Sequence, residues 1–161
     1  MDLIAPAPPH PTPAKPVGDS RAAVARISAF FEALSPASLA VMDTLYTDTA
    51  RFKDPFNEVQ GVAAITGIFE HMFESLHEPH FVVTRQIVDG PHAFLVWEFR
   101  CRFKRFDTTT QQVIRGGSHL LLAPDGRIQD HRDYWDAAEE LYEKLPGVGA
   151  LMRWFKRRAI T

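Results

Sequence analysis

A carboxylate between two phenylalanines is the first candidate for acid–base chemistry in this sequence. Phe52 and Phe56 flank Asp54, and Pro55 follows it directly. An apolar setting removes water from a carboxylate and makes it a stronger base, which suits general-base catalysis. An aspartate before proline is also typical of a turn, in which its side chain accepts hydrogen bonds from nearby backbone N–H groups. Both interpretations stay open, and Asp54 is our candidate general base.

The last predicted strand carries a second candidate site. Alternation of side chains along a strand places His131, Asp133 and Trp135 on one face. There, His131 and Asp133 could share a proton or hold a water molecule, with Trp135 as an apolar wall. The alternative is a ladder of ion pairs between strands at a solvated sheet edge.

Other common catalytic motifs are absent from the sequence. It contains no glycine-rich phosphate loop, no paired cysteine motif and no HExxH motif, so we expect neither a metal ion nor an organic cofactor. The segment 116–119, GGSH, begins like a nucleophile motif but lacks the trailing glycine. The single cysteine, Cys101, falls on the apolar face of a predicted strand, where we expect an inert buried thiol.

These residues belong to a chain of 161 residues, long enough for one domain and too short for two. A net charge of -2 argues against nucleic acid or an anionic membrane as a partner. Residues 1–18 hold six of the twelve prolines and show no apolar periodicity, which predicts a disordered tail. The tail also lacks the features of a signal peptide, and no apolar run approaches a membrane span, so we expect a cytoplasmic protein.

The domain begins with three predicted helices. Asp19 and Ser20 are good N-cap residues for the first, whose apolar face is Val24, Ile27, Phe31 and Leu34. Ser35 and Pro36 begin the second, whose apolar stripe is Leu39, Met42, Leu45 and Tyr46. The third has the clearest helical periodicity, with Ile65, Phe69, Met72, Phe73 and Leu76 on one face, and Pro79 beyond its end.

After Pro79 the period of the apolar residues changes to two, which predicts strands at 81–88, 93–103, 113–122 and 128–135. One face of the 93–103 strand is apolar and the other mostly charged, as in a half-buried antiparallel sheet. The domain, residues 19–145, is therefore α+β, with helices on one face of a curved sheet. Residues 146–161 predict an amphipathic helix that packs on the domain or on a partner subunit.

Two local motifs and the order of elements over residues 20–145 resemble the nuclear transport factor 2-like superfamily. This superfamily includes ketosteroid isomerases, SnoaL-type polyketide cyclases and limonene epoxide hydrolases. The segment 45–55, LYTDTARFKDP, looks like the stretch that carries the general-base aspartate of ketosteroid isomerases. The segment 131–136, HRDYWD, is similar to the last-strand motif of limonene epoxide hydrolases, in which the aspartate matching Asp133 is catalytic. The resemblance implies a cone-shaped fold with an apolar pocket.

The sequence also departs from both patterns. Phe30 and Ser118 stand where ketosteroid isomerases hold the oxyanion with a tyrosine and an aspartate. The segment Arg100-Cys101-Arg102 replaces the Arg-x-Asp pair of the epoxide hydrolases. The resemblance therefore implies an acid in a pocket without either complete catalytic set.

Three functions are compatible with these observations. The first is a cofactor-independent isomerase, cyclase or hydrolase acting on a small apolar carbonyl compound or epoxide. In it Asp54 is the base, Asp133 orients His131, and Ser118 or His131 donates to the oxyanion. The predicted apolar lining is Phe30, Phe56, Phe69, Trp97 and Trp135. The second function is small-molecule binding in this pocket without turnover. The third is a homodimeric scaffold, paired through the charged sheet face of Glu98, Arg100 and Arg102 or through the C-terminal helix.

Overall fold

The computed structural model describes residues 18–105 and 108–140. Two predictions therefore lie outside the described residues: the disordered tail, of which only Gly18 is described, and the helix over 146–161. The described helices are α1 (Ser20–Glu32), a 3-10 helix (Ala37–Thr44), α2 (Val62–Ser75) and α3 (Ala137–Glu140). The described strands are β1 (Tyr46–Lys53), β2 (Glu58–Gln60), β3 (Leu76–Asp89), β4 (His92–Phe103), β5 (Gln112–Leu122) and β6 (Ile128–Tyr134).

Helix α1 forms as its sequence predicts. The Asp19 carboxylate accepts a hydrogen bond from the backbone N–H of Ala22 at 3.0 Å, which caps the first turn. The apolar face of the helix is buried at Val24, Ile27 and Phe31. This burial anchors α1 against the inner face of the sheet and brings Phe31 close to the pocket described below.

The second helix differs from its prediction. Residues 37–44 form a 3-10 helix that is kinked at Val41, and Ser35 and Ser38 hydrogen-bond to each other at its start. Tyr46, expected on the apolar stripe of this helix, is instead the first residue of β1 and is fully buried. The apolar spacing of this segment is compatible with both structures, and sheet pairing decides between them.

Helix α2 continues directly into strand β3. The helix ends at Ser75, and Leu76 already pairs with Phe103 of β4. Pro79, expected beyond the helix in a break, lies inside β3 at an irregularity between His77 and His80. Because β3 is the last strand of the sheet, a proline without an N–H donor is tolerated there.

The six strands form one mixed, curved and unclosed sheet in the order β2-β1-β6-β5-β4-β3. The antiparallel meander from β3 to β6 confirms the predicted α+β architecture. Two features were not predicted: β1 runs parallel to β6, and the short strand β2 covers the outer edge of β1. The parallel pairing brings Phe52 alongside His131, two residues that are far apart in the sequence.

The inner face of β4 confirms the predicted alternation: Leu95, Trp97, Phe99 and Cys101 are all buried. On the opposite face Glu98 pairs with Arg100 at 2.8 Å within the same chain. Homodimerisation through this charged face stays a prediction. Among the described residues, no helix combines the length and apolar character needed to cross a membrane.

Candidate functional site

A cavity of about 420 Å³ opens between helix α2 and the inner face of the sheet. Its walls are mainly aromatic and aliphatic, and four of the predicted lining residues are among them: Phe56, Phe69, Trp97 and Trp135. The polar side chains that line it are those of Asp54, Asn57, His71, Ser75 and Asp133. A pocket of this size and composition fits a small, mostly apolar molecule.

A second, much smaller void of about 20 Å³ lies deeper in the cone. It is about large enough for one water molecule. Asp133 lines both this void and the larger cavity, as do Phe69, Phe81 and Trp97. Ser118 and His131 line the small void but not the large cavity. Asp133 therefore lies between the large cavity and the two polar residues of the small void, Ser118 and His131.

The Asp133 carboxylate is held by two hydrogen bonds to the same oxygen. Its Oδ1 accepts from the Ser118 hydroxyl at 2.5 Å and lies 2.8 Å from Nε2 of His131. Its side chain is 16% exposed, whereas that of His131 is 4% exposed. Within the described part of the chain, Oδ2 of Asp133 has no hydrogen-bond partner. One oxygen of this carboxylate is thus fixed, and the other is available to a ligand.

Two further side chains extend this network. The indole Nε1 of Trp97 donates to the Ser118 hydroxyl at 2.8 Å. At the other end, Oη of Tyr46 lies 2.7 Å from Nδ1 of His131. Burial, together with the negative charge of Asp133, raises the pKa of Tyr46 well above its usual value. Tyr46 therefore stays a neutral phenol.

Tyr46 is the member of this network that the sequence analysis missed. The only local signal is a tyrosine in an otherwise aliphatic stripe, since a fully buried phenol requires a polar partner. The partner, His131, lies 85 residues further along the chain. Only the parallel pairing of β1 with β6 shows that the two residues meet.

Asp54 adopts the turn conformation that was the alternative to its proposed role. Its Oδ1 accepts from the backbone N–H groups of Phe56 at 2.7 Å and Asn57 at 2.6 Å. The amide of Asn57 also donates to both carboxylate oxygens, at 3.1 and 3.0 Å. Asp54 does line the large cavity, but both of its oxygens already hold donors from its own turn.

Phe30 and Phe56 differ in position from the other predicted lining residues. Phe30 is half-buried and packs against the outside of the core, while its neighbour Phe31 lines the small void. The buried residues of α1 include Phe31 but not Phe30. Phe56 is 52% exposed and contacts Trp135 edge to face at 5.4 Å, which places this pair at the mouth of the cavity.

The two groups predicted to donate to an oxyanion, the Ser118 hydroxyl and Nε2 of His131, both lie within hydrogen-bond distance of Oδ1 of Asp133. Their role as oxyanion donors stays a prediction. Across the described residues, no group of three or more His, Cys, Asp or Glu side chains is arranged to hold a metal ion.

A curved sheet that wraps around helices and encloses an apolar cavity defines the nuclear transport factor 2-like class, as the sequence predicted. The chain belongs to the SnoaL-like domain family, which matches residues 27–131. No curated protein matches the sequence.

Solved structures share this fold at low sequence identity. One is a hypothetical protein with a ketosteroid isomerase-like fold from Catenulispora acidiphila, solved in complex with trimethylamine. It has 17% identity and a TM-score of 0.63 over 74% of this chain and 88% of that one. An LEH-like epoxide hydrolase from M. tuberculosis has 19% identity and a TM-score of 0.62 over 80% and 93% of the two chains. An NTF2-like protein of unknown function from Burkholderia pseudomallei has 13% identity and a TM-score of 0.63, with coverages of 74% and 92%.

Proposed function

We propose that this protein is an isomerase, cyclase or hydrolase for a small apolar carbonyl or epoxide compound, with Asp133 as its general base. The observation that carries the proposal is the position of the Asp133 carboxylate. It lies in the wall of the apolar cavity, with Oδ1 held by Ser118 and His131 and Oδ2 unpaired among the described residues. A carboxylate in this setting has a defined orientation and a lone pair available to a substrate.

We assign the role of base to Asp133 and not to Asp54 because of the hydrogen bonds at each carboxylate. Oδ2 of Asp133 has no hydrogen-bond partner among the described residues, whereas both oxygens of Asp54 accept hydrogen bonds. Four donor contacts from the backbone and side chains of its own turn occupy Asp54. A proton taken up by Oδ2 of Asp54 competes with the Asn57 amide, which lies 3.0 Å from that oxygen. A proton taken up by Oδ2 of Asp133 leaves both hydrogen bonds at Oδ1 in place.

The reaction begins with proton transfer to Oδ2 of Asp133. In a carbonyl substrate the proton comes from the carbon next to the carbonyl group, an enolate forms, and a proton returned from Oδ2 to carbon completes the reaction. In an epoxide substrate the proton comes from a water molecule that attacks the ring. The C–O bond then breaks, and the alkoxide takes up a proton from solvent to give the diol. A positioned base contributes about 10²- to 10⁴-fold to such a step.

The test detects proton abstraction without knowledge of the product. A panel of small cyclic and aromatic ketones is incubated with the protein in heavy water, and deuterium uptake next to the carbonyl is followed by NMR. A matching panel of epoxides is incubated in oxygen-18 water, and the labelled diol is measured by mass spectrometry. The variants are Asp133→Asn, which keeps the shape of the side chain, and Asp54→Asn as the matched control.

We expect Asp133→Asn to lower the rate about 10²-fold or more, and Asp54→Asn to change it only slightly. The reverse result, in which only Asp54→Asn loses activity, would show that Asp54 is the base. Equal rates in wild type and in Asp133→Asn would overturn the proposal.

A second function, binding of a small apolar amine without turnover, is favoured by the charges around the cavity. Two carboxylates line it, and none of the described lining residues is lysine or arginine. Aromatic rings together with a carboxylate favour an ammonium group. The structural neighbour solved with trimethylamine is in keeping with this. Calorimetry with benzyldimethylamine and its neutral isostere isobutylbenzene separates the two functions, since only a binding site for cations prefers the amine.

A further inference from the structure

We propose that Tyr46 holds His131 as a neutral imidazole with its proton on Nε2, so that two donor chains of fixed direction converge on Oδ1 of Asp133. The first chain runs from Trp97 through Ser118, and the second runs from Tyr46 through His131. Tyr46 and Trp97 are then positioning residues for Asp133. This role rests on the proposed function, whereas the protonation of His131 can be tested without it.

The direction of the first chain follows from the chemistry of tryptophan. An indole Nε1 can donate a hydrogen bond but cannot accept one. The Ser118 oxygen therefore accepts from Trp97, at 2.8 Å, and its own hydrogen points to Oδ1 of Asp133, at 2.5 Å. The first chain thus ends with a hydrogen donated to Oδ1 of Asp133.

The direction of the second chain follows from the burial of Tyr46. This residue is 0% exposed, so its phenolic hydrogen requires a partner inside the protein. Nδ1 of His131, at 2.7 Å, is that partner. If Nδ1 accepts this hydrogen, the imidazole carries its proton on Nε2. Nε2 lies 2.8 Å from Oδ1 of Asp133, so it is the donor to the carboxylate.

Other protonation states of His131 leave a buried group without a partner. A proton on Nδ1 turns that nitrogen into a donor facing Tyr46, and the phenolic hydrogen then loses its acceptor. In a doubly protonated ring Nδ1 is also a donor, so the phenolic hydrogen of Tyr46 again has no acceptor. The aromatic rings of Phe31, Phe52 and Tyr46 enclose His131, with centroid distances of 5.7, 4.9 and 6.0 Å. The rings of Phe31 and Phe52 carry no polar atom that could act as a hydrogen-bond partner.

The arrangement matters for the strength of the base. A neutral imidazole fixes Asp133 by hydrogen bonding without adding a full positive charge beside it, and such a charge would make the carboxylate a weaker base. Because both donors bind Oδ1, the carboxylate plane is set by Ser118 and His131, and Oδ2 stays available. Tyr46 achieves this through His131, without contact with a ligand in the cavity.

The test is nitrogen-15 NMR of the full chain, labelled at histidine and measured at neutral pH. The His131 signals are assigned by their absence from a His131→Gln variant. We expect one ring proton, on Nε2, and an unprotonated Nδ1. A ring proton on Nδ1, or on both nitrogens, overturns the proposal.

The Tyr46→Phe variant tests the part played by the phenol. We expect it to shift the Nδ1 signal of His131, because the donor is removed while the ring remains. Tyr134→Phe is the matched control: Tyr134 is exposed at 46% and lies on the other face of β6, so the His131 signals should not change. An Nδ1 signal that is the same in wild type and in Tyr46→Phe contradicts the assigned bond.

Activity measurements then separate this inference from the proposed function. With any substrate turned over by the protein, Tyr46→Phe should lower kcat about tenfold and leave KM nearly unchanged, as the loss of one hydrogen bond predicts. An unchanged kcat overturns the positioning role, even if Asp133→Asn is inactive. If instead Asp133→Asn is fully active, the proposed function fails, and the NMR result alone decides the state of His131.

Discussion

The indole ring of Trp97 lies directly over Gly116 of the neighbouring strand. A Cβ atom at position 116 would stand 2.6 Å from Cη2 of Trp97 and 2.9 Å from Cβ of Trp135. Trp97 and Gly116 are also direct partners in the pairing of β4 with β5. The missing side chain at position 116 therefore provides the space in which Trp97 can reach Ser118.

The first prediction is that Gly116→Ala destabilises the protein and displaces Trp97. A methyl group at this position overlaps a rigid ring, and such overpacking costs about 1–3 kcal/mol in the free energy of unfolding. Chemical denaturation measures this cost. The displaced indole should also lose its hydrogen bond to Ser118, which a change in the Trp97 Nε1–H signal in NMR would reveal. Unchanged stability and an unchanged signal would contradict the contact.

The second prediction concerns Gly67 and has the opposite sign. This glycine lies inside α2, and a Cβ at its position would meet no heavy atom within 4 Å. Gly67→Ala should therefore stabilise the protein by about 0.5–1 kcal/mol, because alanine loses less backbone freedom than glycine in a helix. Thermal unfolding of Gly67→Ala beside Gly116→Ala compares the same substitution in open and in filled space. A lower Tm for Gly67→Ala than for the wild type would contradict the open, helical setting of position 67 in α2.

The third prediction concerns the ionisation of Tyr46. Burial first, and the charge of Asp133 second, raise its pKa well above the usual value of 10.0. A raised pKa in the folded state means that the stabilisation is fully present below the unfolded value and is lost as the pH rises beyond it. In an alkaline titration followed by phenolate absorbance, Tyr46 should ionise only when the protein unfolds. Tyr46→Phe should remove this late step, and its survival in that variant would refute the assignment.

The fourth prediction concerns stability at mildly acidic pH. The pKa of His119 lies below its usual value of 6.5, because of burial first and the neighbouring His92 second, with Asp130 acting in the opposite direction. His119 therefore binds a proton more readily in the unfolded chain than in the folded protein. The free energy of unfolding should fall as the pH drops below about 6.5, and urea titrations at several pH values measure the slope.

Two variants test the origin of this slope. His119→Gln should flatten it, because the titrating group is removed. His92→Gln should flatten it in part, because a second imidazole 3.1 Å away from Nε2 of His119 is lost. An identical slope in wild type and in His119→Gln would show that another group causes the pH dependence.

Much of the fold could be predicted from the sequence because it depends on local periodicity. The apolar spacing of α1 and α2, the Asp19 cap and the alternation along β4 are all set by residues close in the chain. The meander from β3 to β6 followed for the same reason, since its strands are consecutive and joined by turns. The family resemblance rested on the same elements and on the motifs around Asp54 and Asp133.

Local patterns could not decide the structure at Tyr46 or Asp54. Tyr46 fits a helical stripe as well as a strand, and its membership of β1 depends on pairing with β6. Asp54 fits a buried base as well as a turn, and the choice depends on which donors reach its oxygens. In both cases the sequence offered two structures of similar local quality. A contact with His131, 85 residues away, goes with the strand at Tyr46, whereas donors two and three residues away go with the turn at Asp54.

The sequence by itself determined the α+β architecture, the apolar inner face of the sheet and the shared face of His131 and Asp133. Those properties follow from spacings of two and of about 3.6 residues, which nearby residues satisfy. Only the tertiary structure decided that Tyr46 meets His131 and that Ser118 and His131 both bind Asp133. Hydrogen bonds between distant residues require a particular approach of two chain segments, and no periodicity in the sequence encodes that approach.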